Sequence, residues 1–214
     1  MSDPGDNPGS GADRAAVERP LFPLQRVLFP GVTLPLRIFE QRYLRLVRES
    51  LAAGSGFAVL PILAGREVGA PPAVASCGTW VEIADWSSLP NGLLGIEIRG
   101  ERRLELGATR VESDGLMVGE VVLRPPETAL PLTAAEADLV ALLSDLARHL
   151  GLESRYLSHD LDAGSLAWRL ADLLPVAVER KAALLALDDP AARLGEVRSW
   201  VAELAARGRS GPRG

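Results

Sequence analysis

Few side chains in this sequence could break covalent bonds, and their spacing argues against it. The chain contains two histidines, His149 and His159, and one lysine, Lys181. The run Ser158-His159-Asp160 has the residue types of a hydrolytic triad. However, the members of a triad converge from separate elements, whereas three consecutive side chains diverge. A Gly-x-Ser-x-Gly elbow is absent from the sequence. We therefore expect no hydrolase site.

The sequence also lacks the motifs that bind metal ions and nucleotides. Cys77 is the single cysteine, and with two distant histidines it falls short of the ligand spacing of zinc sites. Asp160 and Asp162 could supply oxygen ligands, but a solvated loop explains them better. Lys181 is followed by alanine, so no Gly-Lys-Ser/Thr phosphate loop exists. We expect no metal, no cofactor and no enzymatic activity.

Composition indicates a globular protein of the cytoplasm. Apolar residues make up 47% of the 214 residues, and the net charge of −5 argues against a nucleic-acid partner. A lone cysteine suits a reducing compartment. The sequence has no segment apolar enough to span a bilayer, so we expect no membrane association. Residues 1–18 and 208–214 are rich in Gly and small polar residues, which predicts a disordered leader and a disordered tail.

The most specific stretch is residues 21–43, in which three prolines interrupt apolar residues. Prolines fix φ and lack a backbone donor, so this segment is neither a plain helix nor a central strand. We predict an edge strand, a turn at Pro30-Gly31, a second short strand through Pro35, and a helix from about residue 38.

In the rest of the chain, the spacing of apolar residues changes once, from a strand period to a helix period. Residues 74–123 alternate apolar and polar residues between turn signals, which predicts several short strands of a barrel. After Pro125-Pro126 the pattern is helical, beginning with a capping box from Thr133 to Glu136. We predict an α+β protein, with a β lobe at residues 19–125 and a helical bundle at residues 132–207.

Read in order, these motifs resemble the N-terminal, substrate-binding domain of Lon-type ATP-dependent proteases, over residues 20–204. The matching motifs are Pro20-Leu21-Phe22-Pro23-Leu24, Leu28-Phe29-Pro30-Gly31, Leu34-Pro35-Leu36, Ile38-Phe39-Glu40 with Arg42-Tyr43, Gly78-Thr79-Trp80-Val81, and Gly100-Glu101-Arg102-Arg103. The resemblance implies a PUA-like β pseudobarrel followed by a helical bundle. It also implies a stand-alone form without the ATPase and peptidase domains.

The function implied by the resemblance is binding of exposed apolar segments of other polypeptides, without catalysis. The partners would be unfolded or partly unfolded proteins or peptides, and a protease or chaperone is a further candidate. One alternative is a regulatory adaptor that docks on one folded partner, such as a protease or an ATPase. An RNA-binding barrel is a weaker alternative, because the arginines of residues 99–110 are interleaved with glutamates.

Four aromatic residues are candidates for the binding surface: Trp80, Trp86, Phe22 and Phe39. If Val81 faces the barrel core, Trp80 and Trp86 share the outward face, where aromatic anchors of protein interfaces lie. Coverage by a neighbouring helix or loop is the simpler alternative for both tryptophans, and Phe22 and Phe39 could be core residues.

The other motif residues are better explained as structural. Glu40 and Arg42 could grip a polar group of a bound peptide, but an ion pair that pins the first helix to the barrel is the favoured interpretation. The same structural role is expected for the remaining motif positions, which are Pro30, Gly31, Pro35, Tyr43, Gly78, Thr79 and Gly100.

Overall fold

The computed structural model describes residues 15–67, 69–90, 92–157 and 161–209. The run Ser158-His159-Asp160, most of the predicted leader and most of the predicted tail lie outside these residues. The first strand begins at Val17 and the last helix ends at Arg209, so both predicted termini overlap regular structure by two residues. None of the helices in the described ranges combines the length and hydrophobicity that a bilayer span requires.

Seven strands and six α-helices follow one another along these residues, as the sequence pattern predicts. The strands are β1 (Val17–Leu24), β2 (Thr33–Ile38), β3 (Phe57–Ala64), β4 (Ala73–Val74), β5 (Cys77–Ser88), β6 (Leu94–Val111) and β7 (Met117–Leu123). The helices are α1 (Gln41–Ala53), α2 (Ala137–Leu150), α3 (Glu153–Tyr156), α4 (Ala163–Leu173), α5 (Val178–Ala186) and α6 (Pro190–Arg209). The predicted α+β class, a barrel followed by helices, is confirmed.

Five strands close into a ring. The pairing order is β1, β7, β6, β5 and β3, and β3 returns to pair with β1 in parallel. The other pairs of the ring are antiparallel. Closing the ring removes most free sheet edges, which is how small barrels limit unwanted strand pairing.

The prolines of β1 are accommodated by a change of partner rather than by an edge position. Residues 17–20 pair with β7, whereas residues 21–24 pair with β3. Each proline, Pro20 and Pro23, therefore lies where the strand is paired on one side. The prediction of an edge strand is wrong for β1, which completes the ring. The edge strand is β2, which pairs with β6 alone among the described strands.

The side chains on the two faces of the ring belong to two different hydrophobic clusters. The inner cluster is small and contains residues of β1, β3, β6 and β7: Leu21, Ala58, Leu60, Leu104, Met117 and Val121. The narrow interior demands small residues: a side chain at Gly78 would collide with Leu60, and one at Gly119 would collide with Leu106. Glycine therefore sets the diameter of the barrel at these positions.

The outer cluster joins the barrel to the helices in one continuous core. Phe29, from the loop after β1, stacks on Trp168 of α4 with ring centroids 5.2 Å apart. Trp168 and Trp200 are 3% and 1% exposed, as expected for bundle residues. Residues of α2, α4, α5 and α6 belong to the same cluster as residues of β1, β3, β5 and β6. The helices thus cover one side of the barrel.

Capping residues fix the helix ends as the sequence indicates. The Thr133–Glu136 capping box forms, although it caps a 3₁₀ turn (Ala134–Glu136) that leads into α2. Gly151 ends α2 with a φ of 66°, a conformation that favours glycine. At α6, the Ala191 amide donates to Asp189 Oδ1 at 2.9 Å, and Pro190 occupies the first helical position.

Candidate functional site

The largest concentration of buried charge lies where the barrel meets the helices. Arg193 of α6 is 0% exposed, and Arg103 of β6 is 6% exposed. Both guanidinium groups bind the carboxylate of Glu127 in the connecting segment: Arg193 through Oε2, and Arg103 through Oε1 at 2.7 Å. A buried charge is tolerated only when it is paired and hydrogen-bonded. Both guanidinium groups are paired here, although Arg193 Nε has no hydrogen-bond partner among the described residues.

The same two arginines also satisfy backbone carbonyls at the end of α5. Arg103 donates to the carbonyl oxygen of Leu187 at 2.8 Å, and Arg193 donates to that oxygen at 2.9 Å and to the Asp188 oxygen at 3.0 Å. The last carbonyls of a helix lack intrahelical donors, and these guanidinium groups supply them. Arg193 also lies over the Trp168 ring, 4.2 Å from its centroid. The charges at this junction are therefore engaged within the protein.

Two cavities flank this junction. One has a volume of about 240 Å³ between Pro30, Glu127 and Trp168, and the other has a volume of about 680 Å³ between Arg103, Leu123 and Asp188. Pro125-Pro126 borders both cavities. The walls of both cavities are mixed: Arg103 and Glu127, which are ion-paired, lie beside these prolines.

The Pro30-Gly31 turn explains several motif residues as architecture. Gly31 has a φ of 75°, and its amide donates to the Gly100 oxygen at 2.8 Å. Gly100 lies so close to Phe29 that a side chain there would collide with the Phe29 carbonyl. The Thr79 hydroxyl donates to the Leu28 oxygen at 2.6 Å. These contacts fasten the turn to β5 and β6.

The first helix is pinned in a similar way. Glu40 pairs with Arg42 at 2.8 Å, and Arg42 donates to the carbonyl oxygens of Gly115 at 2.9 Å and of Glu67 at 3.2 Å. Arg42 also lies 4.7 Å from the centroid of the Tyr43 ring. Burial raises the pKa of the Tyr43 hydroxyl to about 12, so it stays neutral. These contacts agree with the structural interpretation of Glu40 and Arg42.

Two of the four predicted binding aromatics are covered, Phe22 almost wholly and Trp80 in part. Phe22 is 7% exposed and stacks on Tyr43, with ring centroids 4.2 Å apart. Trp80 is half-buried against the inner cluster, and Arg19 lies 5.7 Å from its ring centroid. Val81 is fully buried in the outer cluster, on the side of the barrel that faces the helices. Irregular pairing between Trp80 and Val81 shifts the register at this point.

The other two aromatics, Trp86 and Phe39, are 60% and 58% exposed. Trp86 lies where β5, β6 and β2 continue beyond the ring, and we call residues 82–88, 94–99 and 33–38 the three-stranded extension. Ile96 of β6 pairs with Trp86 on one side and with Leu36 of β2 on the other. Cross-strand partners point to the same face, so the three side chains form one apolar row. Its centre is buried, whereas its end at Trp86 is open.

A third cavity, of about 480 Å³, lies on this extension. Its lining is mixed, with Pro35, Leu36, Arg37, Asp85, Trp86, Ser87, Leu89, Gly95, Ile96 and Glu97. Leu36 and Arg37 also line a small cavity of about 80 Å³ beside Phe39. The two exposed aromatics therefore flank one continuous surface centred on β2.

The charges on the extension differ from those at the junction. Asp85 and Glu97 are directly opposite each other on β5 and β6. Among the described residues, neither carboxylate forms an ion pair. Like charges placed opposite each other on a sheet are unfavourable. Asp85 was not singled out from the sequence, since its position depends on the register of β5 against β6.

Lys181 and Cys77, two of the residues considered for chemistry, contact backbone carbonyls within the protein. Lys181 Nζ donates to the Asp172 carbonyl oxygen at 3.0 Å, and burial lowers the pKa of Lys181. Cys77 is buried with its thiol near the Leu185 carbonyl, and burial raises the pKa of this thiol. His149 is exposed on α2, while His159 lies outside the described residues. The described part of the chain contains no cluster of potential ligands that could hold a metal ion.

The chain is similar to known domains of Lon proteases in both sequence and fold. The model of the substrate-binding domain of ATP-dependent protease La (Lon) matches residues 18–203. A Lon N-terminal domain protein from Xanthomonas campestris is 39% identical, with a TM-score of 0.69, over 86% of this chain and 98% of that chain. The N-terminal domain of a Mycobacterium avium complex Lon protease is 22% identical, with a TM-score of 0.60, over 87% and 98%, and shows the shared fold.

The Lon protease of Parabacteroides distasonis is 25% identical over 145 residues. That match covers 64% of this chain but 17% of the relative, so the chain corresponds to a small part of that protein. Since the family model spans nearly all of the described residues, the chain belongs to the Lon substrate-binding domain family.

Proposed function

We propose that this protein binds exposed apolar segments of other polypeptides without cleaving them, and that the binding surface is the three-stranded extension with Phe39. Membership of a substrate-binding domain family supports a protein ligand. The observation that carries the choice of surface is the exposure of Trp86, which is 60% accessible at the end of an otherwise buried apolar row. Exposed aromatics of this kind act as anchors in protein interfaces.

The contrast with the junction supports the same choice. There, Arg103 and Arg193 are committed to Glu127 and to backbone carbonyls, so a ligand that used these two guanidinium groups would have to replace internal bonds. On the extension, a ligand would only have to cover apolar surface that is already exposed. We therefore expect affinities on the order of micromolar, because ordering a flexible polypeptide costs free energy.

The test is a titration of a fluorescently labelled, reduced and alkylated polypeptide that cannot refold. The native protein should bind it, and Trp86→Ala should raise Kd by about 10-fold or more, because large aromatic anchors dominate such interfaces. Leu150→Ala is the matched control: Leu150 is 51% exposed at the end of α2, and its loss should leave Kd unchanged.

Two results would contradict this function. One is failure of the native protein to bind the unfolded polypeptide while it copurifies with one folded partner at a fixed ratio, which would favour the adaptor alternative. The other is turnover of a peptide or of ATP that a single side-chain substitution abolishes.

A further inference from the structure

The outer side of β5 is an uncovered sheet edge within the extension. β3 pairs with β5 only as far as Val81, which is opposite Phe57. Beyond that point, residues 82–88 pair with β6 alone among the described strands. Every one of these residues except Ile83 is exposed. A sheet edge left open in this way presents backbone donors and acceptors to an incoming chain.

One backbone donor of this edge forms its hydrogen bond without a partner strand. The main-chain amide of Trp86 donates to Oδ1 of its neighbour Asp85 at 2.8 Å. A side chain thus replaces the carbonyl that a neighbouring strand would offer. This local bond is replaceable, because a strand added along β5 could supply the acceptor and release the Asp85 carboxylate to solvent or to a cation.

Charge indicates what kind of strand fits the edge. Residues 82–88 include two acids, Glu82 and Asp85, and no basic residue. Glu97 adds a third carboxylate directly opposite Asp85. Arg99, which is opposite Glu82 on β6, is paired with Glu101, and Arg37 lies across β6 on β2. Two copies of this edge would repel each other, which disfavours pairing between identical chains. A strand carrying lysine or arginine would instead relieve the repulsion between Asp85 and Glu97.

We propose that residues 82–88 of β5 accept one extended strand of another polypeptide, whose apolar side chains contact Trp86 and whose basic side chain faces Asp85 and Glu97. This inference rests on the proposed function and specifies its ligand as extended rather than helical. Main-chain hydrogen bonds along the edge are independent of side-chain identity, so many sequences can bind. Trp86 and the carboxylates add a preference for apolar segments next to basic residues.

The decisive probe is a labelled peptide of about eight residues, a typical strand length, with alternating valine and leucine and a lysine at each end. Two derivatives carry N-methyl groups on alternate residues, one set on the odd positions and the other on the even positions. Since successive amides of a strand point to opposite edges, only one set can face β5. We expect that set to weaken binding by about 10-fold or more, and the other set to change Kd by less than about 3-fold.

A matched pair of protein variants tests the same backbone hydrogen bonds by changing the protein instead of the peptide. Trp86 directs its amide away from β6, so the amide of Ser88, two residues on, also faces outward. Ser88→Pro removes this donor and should raise Kd by about 10-fold, whereas Ser88→Ala should not change Kd. Thermal unfolding of both variants confirms that the fold is intact.

The possible results separate the two proposals. Equal effects of both N-methyl sets, or normal binding by folded Ser88→Pro, would overturn the edge proposal while leaving the binding function intact. Absence of binding to the unmodified peptide and to the unfolded polypeptide would overturn both. Replacing the terminal lysines of the peptide with glutamates should weaken binding several-fold at low salt, and a lack of any difference would contradict the role of Asp85 and Glu97.

Discussion

The barrel–helix junction and the three-stranded extension use similar residue types for opposite purposes. At the junction, Arg103 and Arg193 share Glu127 and also donate to the end of α5. On the extension, Asp85 and Glu97 oppose each other, neither forms an ion pair with another described residue, and Trp86 is 60% exposed. Polar and aromatic groups satisfied within the chain stabilise the fold, whereas those left unsatisfied at the surface are available to a partner.

The comparison also explains why conspicuous residues are poor guides to binding. The arginines of residues 99–110 and the motif residues around Pro30 stand out in the sequence, yet their contacts are internal. The open edge of β5 has no distinctive sequence, because it arises from where β3 stops pairing. We expect substitutions at the junction to change stability, and substitutions on the extension to change binding.

Arg193→Ala should have the largest effect on stability. The substitution removes a fully buried guanidinium group that binds Glu127 and two carbonyls, so we expect a loss of about 3–5 kcal/mol in the free energy of unfolding. Urea unfolding measures it. Arg148→Ala, which breaks an exposed ion pair with Asp145, should cost less than about 1 kcal/mol. Equal losses in the two variants would remove the distinction between buried and exposed charge.

Gly100→Ala should have an intermediate effect, on the order of 1–3 kcal/mol. A side chain at residue 100 would meet the Phe29 carbonyl and strain the Pro30-Gly31 turn. Gly195→Ala is the opposite control: no atom lies within 4 Å of the added group, and alanine favours the helix, so stability should rise by about 0.5–1 kcal/mol. A neutral Gly100→Ala would mean that the turn is not held closely against β6.

The smallest effect concerns pH and the cap of α4. Burial alone would raise the pKa of Asp162, but hydrogen bonds from Ser165 and from the Leu130 amide outweigh it and lower the pKa below the usual value. The folded state therefore holds the proton less tightly than the unfolded state, so Asp162 stabilises the fold at neutral pH. That contribution is lost as the pH falls through the folded-state pKa.

Asp162→Ala should cost about 1 kcal/mol at pH 7, the typical value of an N-cap. The difference in unfolding free energy between the native protein and this variant should shrink once the pH falls below about 4. A difference that stays constant down to that pH would show that ionisation of Asp162 does not stabilise the cap.

The sequence predicted the class of fold and most elements because the relevant signals are local. The period-two pattern and the Thr133 capping box each depend on neighbouring residues. The errors arise from long-range pairing. β1 changes partners at residues 20–21, and the register shift between Ile83 and Asp85 places Trp80 and Trp86 on different faces of β5. Neither could be predicted without knowing which strands meet.

The same reason explains the mixed outcome for the predicted binding residues. Trp86 and Phe39 are exposed as the hypothesis requires, while Phe22 is buried and Trp80 packs on the inner cluster. Aromatic residues in alternating patterns suit either environment. The Asp85–Glu97 opposition and the open edge were not predicted, since both depend on the pairing of β5 with β6 and β3.

The central claim is that ligand polypeptides contact the extension and not the junction. Photo-crosslinking of the labelled peptide, followed by digestion and mass spectrometry, tests this location directly. We predict that crosslinks concentrate in residues 82–97 and 33–39 and disappear in Trp86→Ala. Crosslinks confined to residues 101–103, 122–128 and 162–168, the walls of the junction cavities, would contradict the account.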